Sequence, residues 1–417
     1  MGYVIEYMIV KVSNLGGSGI AEMPSSKSFT QRYVLASAFL NKSVVLNGIT
    51  ITNDDDVAMR IAESVGSTIT INNRSIKISS NFKCPEEIYV GESGTSYRLS
   101  IGLLAASGCV TRIKGEDSLA KRPIEPLLMA LGENGVKFER NEAGFYNVDG
   151  RNSQKKHVEI EGSSSQFVSS LMLYYAKKGG GEFTARNIKS IGYVYITKRV
   201  LYDLGYFANI ERTITINPTG VWKTAIDVEP DYSSMAFFMV LGLLSDSVDV
   251  RFRIKRISRI QPDSVILDLF KNNILINGEE IRVISGINEP VSVDADMNPD
   301  LCPPLSVIGI FSKYGVQIRN YERLKTKESN RYEGIIDLAE RFGANVEDNG
   351  QDLFIKPGSV RFPDVISYKD HRMIMAASIA SLIGGFPTVI ENAEKTAKSF
   401  PGFFAELSKF ANVEELA

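Results

Sequence analysis

Hydrophobic and polar positions follow a cycle of about seventy residues that occurs six times along the chain. Each cycle opens with a short polar stretch and continues with a helix pattern that is apolar on nearly every face, which predicts a helix buried inside a domain. A second helix pattern, apolar only at i, i+3 and i+4, ends about forty residues later. The predicted first helices begin at Lys27, Gly94, Ser165, Tyr232, Leu301 and His371, and the second ones end at Gly66, Gly135, Ala208, Asn273, Gly343 and Ala411.

These two unrelated landmarks keep nearly the same period, so the chain repeats one supersecondary unit. The first helices begin 67, 71, 67, 69 and 70 residues apart. In the second copy, alternation predicts strands at Glu87–Val90 and Val110–Ile113 around a helix at Gly94–Ser107. A helix with Pro123 in its first turn and a hairpin follow. The unit therefore reads strand, buried helix, strand, amphipathic helix, hairpin, which is βαβαββ.

We expect the two ends of the chain to belong to one repeat, because the sixth copy stops too soon after Val413 for the return strand of its hairpin. Val4–Val12 has a strand pattern ahead of the first copy, and we expect this strand to complete the sixth unit. The fold class is therefore α/β (α+β), with two lobes of three βαβαββ repeats each. The predicted lobes are residues 24–228, and residues 1–23 plus 229–417, with chain crossings near Met23 and near 228–231.

Composition narrows the class of protein. The chain has 417 residues, of which 44% are hydrophobic and 23% charged, as in globular multidomain proteins. A net charge of −2 gives no general attraction for nucleic acid or an anionic membrane. The longest apolar runs, Met235–Leu244 and Met373–Gly385, are shorter than the roughly 18 residues of a membrane span, and the first twelve residues lack the features of a signal peptide. We expect a cytoplasmic protein without nucleic-acid or membrane partners.

Cysteine and histidine usage points away from disulfides and metals. Cys84, Cys109 and Cys302 form no CxxC pair, which predicts three reduced thiols. His157 and His371 are the two histidines, and their separation argues against a zinc site.

Three buried helices begin with residues suited to bind anions. Residues 24–32 combine serines with Lys27 and Arg32, residues 91–98 are rich in glycine and serine, and residues 162–166 supply three hydroxyls and an amide. A helix N-terminus attracts anions, and glycine allows close approach of the backbone. Ordinary helix capping is the alternative for each start. The GK[ST] ending of a P-loop is absent from these stretches, so ATP binding has little support.

Cations are expected at the starts of the amphipathic helices, in residues 121–124, 324–331 and 396–401. Lys327 and Arg331 are four residues apart, which would place them on one helix face, and Arg372 precedes a fully buried helix. A solvated helix face is the alternative, and it suits Lys325. A cluster of this kind suits two phosphorylated, carboxylated small molecules, and its candidate members are Lys27, Arg32, Arg122, Lys327, Arg331, Arg372 and Lys398.

Together, these segments resemble the signatures of the 5-enolpyruvylshikimate-3-phosphate (EPSP) synthase family. The matching stretches are SKS…R at 26–32, GxSGTxxR at 91–98, RPI at 122–124, LxxKESxR at 324–331, DHR at 370–372 and TAKSFP at 396–401. The resemblance implies the enolpyruvyl transferase fold of two lobes with three βαβαββ units each. It implies transfer of the enolpyruvyl group of phosphoenolpyruvate to the 5-hydroxyl of shikimate 3-phosphate with release of phosphate. It also implies that the protein is a target of glyphosate, a mimic of phosphoenolpyruvate, and that it uses no metal and no organic cofactor, and we expect a monomer.

The resemblance also assigns roles to residues. It implies a catalytic set of Asp300, Glu328, Lys327 and Lys27. The residues implied to bind shikimate 3-phosphate are Lys27, Ser28, Arg32, Ser164, Ser165, Gln166, Ser190, Asp300 and Lys327. Those implied to bind phosphoenolpyruvate are Lys27, Gly94, Arg122, Gln166, Arg331, Arg372 and Lys398. The chain departs from the common family pattern at Glu92, Arg323, Asn330 and Ile191-Gly192, and Glu92 puts an acid beside an expected anion site.

The reaction explains why such residues are needed. The two substrates carry a charge of about −5 to −6 together, which cations and helix N-termini must neutralise as two lobes close over them. An acid and a base must act on opposite sides of the new bond, with Glu328 serving carbon and Asp300 or Lys327 the hydroxyl.

Simpler roles remain open for several of these residues. Asp300 could cap a helix, Glu328 could pair with Arg331, His371 could only orient Arg372, and Cys302 could only pack. Two rival functions are the enolpyruvyl transferase that acts on UDP-N-acetylglucosamine, whose reactive loop cysteine this chain lacks, and a non-catalytic phosphate-binding or RNA-end-processing protein of similar repeat shape.

Overall fold

The repeated sequence pattern folds into sheets of one repeated topology. The computed structural model describes residues 7–416, and this part of the chain contains six four-stranded sheets. In every sheet the first two strands of a repeat pair in parallel, and the second strand pairs antiparallel with the return strand of the hairpin. Where these two strands are consecutive along the chain, the buried helix between them supplies the crossover that a parallel pair requires. The predicted βαβαββ unit is therefore confirmed.

The chain divides into two compact units. We call Ser25–Glu229 the inserted unit, and the chain up to Pro24 together with Pro230–Ala417 the terminal unit. The predicted lobe limits, 24–228 and 229–417, differ from these by one residue at each crossing.

The N-terminal segment and the inserted unit hold the first fourteen strands and seven helices. The strands are β1 (Val10–Ser13), β2 (Gly17–Ile20), β3 (Val44–Asn47), β4 (Thr68–Asn72), β5 (Ser75–Ser79), β6 (Glu87–Tyr89), β7 (Val110–Lys114), β8 (Lys137–Arg140), β9 (Tyr146–Asp149), β10 (Glu159–Glu161), β11 (Gly181–Arg186), β12 (Tyr206–Ile210), β13 (Thr213–Pro218) and β14 (Ala225–Asp227). The helices are α1 (Lys27–Phe39), α2 (Asn53–Ser64), α3 (Gly94–Ser107), α4 (Asp117–Ala120), α5 (Glu125–Glu133), α6 (Ser165–Lys177) and α7 (Ile191–Asp203).

The rest of the terminal unit holds ten strands, six α-helices and four 3-10 helices among its described residues. The strands are β15 (Val248–Arg253), β16 (Ile274–Asn277), β17 (Glu280–Val283), β18 (Val291–Asp294), β19 (Val316–Arg319), β20 (Asn345–Asp348), β21 (Leu353–Lys356), β22 (Val365–Ser367), β23 (Thr388–Glu391) and β24 (Asn412–Glu415). The helices are α8 (Tyr232–Leu244), α9 (Ile266–Leu269), α10 (Cys302–Phe311), α11 (Arg331–Arg341), α12 (His371–Gly384) and α13 (Phe403–Leu407), with 3-10 turns at Pro262–Val265, Lys271–Asn273, Tyr321–Thr326 and Ala393–Lys398.

The N-terminal strand completes the sixth repeat, as predicted. Strand β1 lies between β23 and β24 and pairs antiparallel with both, with Val12 opposite Thr388 and Val413. The predicted strand began at Val4, but residues 4–6 lie outside the described part of the chain. Both Val10 and Val12 are fully buried, so this strand is part of the core of the terminal unit.

Two further strands complete repeats at a distance, and the sequence did not predict this. Strand β2 pairs in parallel with β15 and serves as the first strand of the fourth repeat. Strand β14 pairs in parallel with β3 and serves the first repeat in the same way. The GSGI sequence of β2 has no alternating apolar pattern, so its place in the sheet follows only from the tertiary pairing.

The buried helices begin at the predicted residue in five repeats, and in the fifth repeat α10 begins at Cys302, one residue late. Helices α1 and α6 contact α3 in the inserted unit, and α8 and α12 contact α10 in the terminal unit. These six helices form the two cores, which explains why their patterns are apolar on all sides. Among residues 7–416, no helix is both long enough and apolar enough to cross a membrane.

Glycines explain the second periodic landmark. Gly66, Gly135, Gly205 and Gly343 follow amphipathic helices with φ of +90°, +84°, +91° and +76°. This left-handed conformation at the C′ position ends a helix and strongly favours glycine. The predicted end at Ala208 is therefore wrong, because Gly205 takes this role and Ala208 lies in β12. The fourth repeat has only the four-residue α9 in place of a long helix.

The expected helix starts at the cation-rich segments are also wrong. Helix α5 begins at Glu125 and has Pro126, not Pro123, in its first turn. Lys327 is extended, with φ −81° and ψ −155°, and precedes α11, so Lys327 and Arg331 do not share a helix face. Lys398 ends a 3-10 helix before α13. The cations therefore lie in the segments that connect the second strand of a repeat to its amphipathic helix.

The prediction of three reduced thiols is wrong for two of them. Cys84 and Cys109 form a disulfide with their Cα atoms 5.3 Å apart. Twenty-five residues separate them in sequence, but the parallel pairing of β6 with β7 brings the segments preceding these two strands together. Cys302 is a free, buried cysteine, as expected for a packing residue.

Candidate active site

Lys27 begins α1 in the inserted unit and forms an ion pair with the first turn of α2. Its Nζ lies 2.9 Å from Oδ2 of Asp54, and both side chains are largely buried, with 15% and 10% exposed. Partial burial strengthens such a pair compared with a surface contact. The ion pair with Asp54 fixes the orientation of the Lys27 side chain, which suits a residue expected to contact two anions.

Arg32 lies one turn further along α1 and is buried without a carboxylate. Its Nε donates to Oγ1 of Thr197 at 2.8 Å and its Nη1 to the backbone oxygen of Ser28 at 2.9 Å. Neither acceptor is charged, and Arg32 forms no ion pair with any residue between 7 and 416. Burial lowers the pKa of Arg32 to about 10. Because buried charges are normally paired, the guanidinium is suited to an external anion.

The serines predicted to bind shikimate 3-phosphate lie at three helix starts, and Ser28 is in the first turn of α1. Ser164 is the N-cap of α6, and its hydroxyl accepts from the backbone N–H of Gln166 at 3.3 Å. Ser165 is the first residue of α6 and is buried. Ser190 is buried ahead of α7 with φ +49°, a left-handed conformation that non-glycine residues rarely adopt. Capping, the alternative considered for these starts, is thus real for Ser164.

Gly94 begins α3 beside two arginines. A Cβ built on Gly94 would lie 2.9 Å from Nη1 of Arg98 and 3.4 Å from Nη1 of Arg122. Arg98 in turn donates to Oε1 of Gln166 at 2.7 Å and to the backbone oxygen of Pro123 at 2.9 Å. Gln166 donates from Nε2 to Oγ1 of Thr95 at 2.9 Å. The inserted unit therefore brings Gly94, Arg122 and Gln166 together around the N-terminus of α3.

Arg122 and Arg98 differ in how they are held. The Arg122 guanidinium makes no hydrogen bond or ion pair with another described residue, whereas Arg98 is fixed by two acceptors. A helix N-terminus carries about half a positive charge, so two guanidinium groups beside it make this corner strongly attractive to an anion.

Asp300 is the centre of a charge cluster in the terminal unit. Its Oδ1 lies 2.6 Å from Nη1 of Arg331 and its Oδ2 lies 3.2 Å from Nη2 of Arg372. Burial opposes ionisation, but Arg372, Lys327 and Arg331 outweigh it and hold the pKa of Asp300 well below its usual range. Leu301, not Asp300, is the N-cap of α10. The capping role considered for Asp300 is therefore wrong.

Arg331 joins this cluster to the start of α12. It is buried, and its Nε lies 2.8 Å from Oδ2 of Asp370. Burial disfavours the charged form, but Asp370 and Asp300 outweigh this effect and raise the pKa of Arg331. Asp370 is the N-cap of α12 and accepts from the backbone N–H of Arg372 at 2.9 Å. One arginine thus bridges two aspartates from different repeats.

Glu328 contacts the same helix start from the other side. Its Oε2 lies 3.1 Å from Nδ1 of His371 and 3.5 Å from Nζ of Lys398. Glu328 therefore contacts His371 and Lys398, whereas the sequence suggested only a pairing with Arg331. His371 contacts this carboxylate, so its position is not explained by orienting Arg372 alone.

Lys327 is the least compensated cation of the cluster. It forms no hydrogen bond or ion pair with another residue in the described range. Burial lowers its pKa to about 7, and the nearby guanidinium groups of Arg323 and Arg331 act in the same direction while Asp300 opposes them. An amine with this pKa exchanges a proton near neutral pH, which suits proton transfer.

A metal ion has one possible set of ligands among the described residues. Ligand atoms of Glu328, Asp370 and His371 lie within 4.8 Å of one another. However, Asp370 is paired with Arg331, and Glu328 has Lys398 beside it. Both carboxylates are thus engaged by cations, so the group reads as part of the charge network.

Sequence reasoning missed three residues that belong to these clusters. Arg98 and Asp370 stand inside the quoted motifs at 91–98 and 370–372, yet neither was singled out. Asp54, the partner of Lys27, lies in a run of three aspartates that reads as an ordinary helix start. The motifs contained the signal for the first two, but nothing in the sequence links Asp54 to Lys27.

The family comparison is decisive. The family model described as EPSP synthase (3-phosphoshikimate 1-carboxyvinyltransferase) matches residues 13–407. The chain belongs to the EPSP synthase family. It is 66% identical over 408 residues to a 3-phosphoshikimate 1-carboxyvinyltransferase of Thermoplasma acidophilum, covering 98% of this chain and 100% of that protein. A relative with the same name from Picrophilus torridus is 42% identical over 416 residues, covering 96% and 98%.

Solved structures confirm the enolpyruvyl transferase fold. EPSP synthase from Acinetobacter baumannii superposes with a TM-score of 0.79 at 23% identity, covering 98% of this chain and 100% of that one. The enolpyruvyl transferase NikO from Streptomyces tendae gives a TM-score of 0.77 at 16% identity, covering 98% and 99%. At these identities the likeness concerns the fold alone.

The lowered pKa of Lys327 gives a first prediction. In a reductively methylated sample, the ¹³C resonance of Lys327 should titrate with a midpoint near pH 7, because burial favours the neutral amine. Lys327→Arg identifies the resonance. Lys325, which is exposed, is the control, because its hydrogen bond with Glu322 raises its pKa above the usual value. A Lys327 midpoint as high as that of Lys325 would contradict the electrostatics described here.

Proposed function

We propose that this EPSP synthase family member transfers the enolpyruvyl group of phosphoenolpyruvate to the 5-hydroxyl of shikimate 3-phosphate and releases phosphate, in the shikimate pathway. The observation that carries the proposal is the connected charge network of the terminal unit. Six of the residues assigned by resemblance, scattered between 300 and 398, lie in or beside this network. They are Asp300, Lys327, Glu328, Arg331, Arg372 and Lys398.

In the inserted unit, we assign shikimate 3-phosphate to the start of α1 and the serine-bearing helix starts. Arg32 supports this role because it is buried without a carboxylate and so lacks a charged partner of its own. Ser28, Ser164, Ser165 and Ser190 would add hydroxyl and backbone donors around a phosphate. The N-terminus of α3, with Gly94 and Arg122, is assigned to phosphoenolpyruvate, while Gln166 and Lys27 serve both ligands.

In the terminal unit, Arg331, Arg372 and Lys398 are assigned to the anionic groups of phosphoenolpyruvate. Each now interacts with a carboxylate of the protein. An incoming carboxylate or phosphate would share these cations and weaken their hold on Asp300 and Glu328. The proton affinity of both acids would then rise as the substrate binds. Substrate binding would thus prepare the two groups that must exchange protons.

The chemistry proceeds by addition and elimination through a tetrahedral intermediate. Asp300 accepts the proton of the 5-hydroxyl as its oxygen attacks the substituted carbon of phosphoenolpyruvate, and Lys327 is the alternative base. Glu328 delivers a proton to the methylene carbon. In the second step this carbon loses a proton and phosphate departs, and the nearby cations stabilise the leaving group. The chain's own acids, bases and cations suffice for every proton transfer in this scheme.

Three accompanying assignments rest on the sequence. We propose that the protein acts in the cytoplasm, as a monomer, and on small-molecule substrates without a nucleic-acid or membrane partner. No metal or organic cofactor enters the proposed scheme.

A phosphate-release assay tests the function directly. The purified protein should release phosphate from phosphoenolpyruvate only when shikimate 3-phosphate is present, because the hydroxyl nucleophile is supplied by that substrate. UDP-N-acetylglucosamine is the matched acceptor control and should support no release. Release with the nucleotide sugar and none with shikimate 3-phosphate would replace this proposal by the rival transferase.

Gly94→Ala should weaken phosphoenolpyruvate more than shikimate 3-phosphate. The added methyl would lie 2.9 Å from Nη1 of Arg98, which would have to shift, and 3.4 Å from Nη1 of Arg122, so it would take up space beside both guanidinium groups at the helix start. We expect the KM for phosphoenolpyruvate to rise about tenfold or more, the loss of roughly one charge-assisted contact, with less than a threefold change for shikimate 3-phosphate.

Gly132→Ala is the control for this substitution. Gly132 lies within α5 in the same unit, and an added Cβ would meet nothing within 4 Å. Both KM values should stay at wild-type levels. Equal losses for the two substrates in Gly94→Ala would mean that Gly94 is not at the donor site.

Glu328→Gln should abolish most turnover while leaving binding intact. Glutamine keeps the size of the side chain but cannot transfer a proton, and a positioned acid or base contributes about 10²–10⁴-fold. We expect kcat to fall by at least two orders of magnitude, with calorimetric dissociation constants changed only a few-fold. Glu322→Gln, an exposed site paired with Lys325, is the control. Near-normal kcat in Glu328→Gln would remove this residue from the mechanism.

A further inference from the structure

A second carboxylate of the terminal unit, Asp263, interacts electrostatically with Asp300 and has no role in the proton transfers proposed above. It stands in the 3-10 turn Pro262–Val265 and is only 1% exposed. Its Oδ2 accepts from Oγ of Ser233 at 2.5 Å and its Oδ1 accepts from Nδ2 of Asn298 at 3.1 Å. Within residues 7–416, Asp263 forms no ion pair. A buried carboxylate held only by neutral donors is costly and calls for an explanation.

A hydrogen bond connects Asp263 to the turn that carries Asp300. Asn298, its hydrogen-bond partner, lies two residues before Asp300 and is itself largely buried. The backbone N–H of Asn298 donates to Asp294 at 2.8 Å, and its carbonyl oxygen accepts from the N–H of Leu301 at 3.1 Å. The backbone of Asn298 therefore connects the residues on both sides of Asp300, and the hydrogen bond to Asp263 holds the Asn298 side chain in place.

The two carboxylates also interact electrostatically. Burial and the charge of Asp300 raise the pKa of Asp263 to about 6, against the opposing effects of Ser233, Asn298 and Arg372. The other titratable group beside Asp263 is the buried thiol of Cys302, whose pKa burial and Asp263 both raise, so it stays neutral. Asp300 meanwhile faces Arg331, Arg372 and Lys327, which make it a weak proton acceptor. The negative charge of Asp263 has the opposite effect and makes Asp300 a stronger proton acceptor.

We propose that Asp263 is a positioning residue for Asp300: it fixes the 298–301 turn through Asn298 and supplies a second negative charge that strengthens Asp300 as a proton acceptor. This inference rests on the proposed function, because it assigns Asp300 the proton of the 5-hydroxyl. It explains why a carboxylate without an ion pair is retained in a cluster rich in arginine. The cations that bind substrate would otherwise hold the base too firmly ionised to take a proton.

Asp263→Asn tests the charge. The variant keeps the shape of the side chain and mimics its protonated form, so kcat should be about tenfold below wild type at pH 8, where Asp263 is ionised. The ratio of wild-type to variant kcat should fall towards one as the pH drops through about 6 and Asp263 takes up a proton in the wild type. Titration of the substrates cancels in this ratio. Asp268→Asn, an exposed aspartate paired with Arg259 on the next turn, should match wild type at every pH.

A ratio that stays within twofold of one, or one that does not change with pH, would overturn the proposal. Ser233→Ala provides an independent test of the proposal. It removes a hydrogen bond that favours the charged form of Asp263, so the pH at which kcat declines should move upward. An unchanged profile would contradict the assignment even if Asp263→Asn failed to fold.

Amide hydrogen exchange tests the positioning without any substrate. Asp263→Ala removes the acceptor that holds Asn298, and the amide of Leu301 should then exchange at least tenfold faster than in wild type, with β15 amides as the internal reference. Unchanged exchange at Leu301 would overturn the positioning role. Because this readout needs no turnover, it separates failure of the inference from failure of the proposed function, which the wild-type phosphate-release assay decides first.

Discussion

The structure depends on how the terminal unit keeps a cluster of like-charged arginines and lysines buried at the ends of its helices. Arg331 is the key member, because it is 2% exposed and bridges Asp300 and Asp370 from two different repeats. Removing one partner of such a buried pair leaves an uncompensated charge, which typically costs about 3–5 kcal/mol. The carboxylates stabilise the cations in the free protein. In the proposed function, Asp300 would become available for proton transfer when substrate anions bind those cations.

The inserted unit holds its buried arginines with neutral acceptors, whereas the terminal unit uses carboxylates. Its cations are held by a carboxylate at Lys27, by a hydroxyl and a carbonyl at Arg32, and by an amide and a carbonyl at Arg98. Neutral acceptors position a guanidinium but leave its charge largely uncompensated. Helix N-termini at Gly94 and Ser165 add to the positive potential. In the proposed function, the anion affinity of this unit comes from these cations together with the helix N-termini, on a scaffold of repeated, largely apolar helices.

Repetition also explains the pattern of successes and errors in the sequence-based prediction. The buried helices begin where a polar stretch meets a run with few charges, and this boundary located five of six starts to the residue. The predicted ends of the amphipathic helices at Gly66, Gly135 and Gly343 are marked by glycines in the left-handed conformation. The predicted end at Ala208, which is not a glycine, is wrong. The connecting segments were misjudged as helix starts, because Lys327 follows and Lys398 ends a short 3-10 turn that has no distinctive pattern.

The sequence alone determined the repeat, the topology of each unit and the family, because these depend on local periodicity and on motifs whose residues are adjacent in the chain. It also named most members of both charge clusters, but not Asp54, Arg98 or Asp370. Only the tertiary structure decided which residues pair, since hydrogen bonds and ion pairs depend on distances that no spacing encodes. Strands β2 and β14, the disulfide between Cys84 and Cys109, the bridge made by Arg331 and the placement of Asp263 behind Asp300 all join segments that are separate in sequence, and each therefore became visible only in the folded chain.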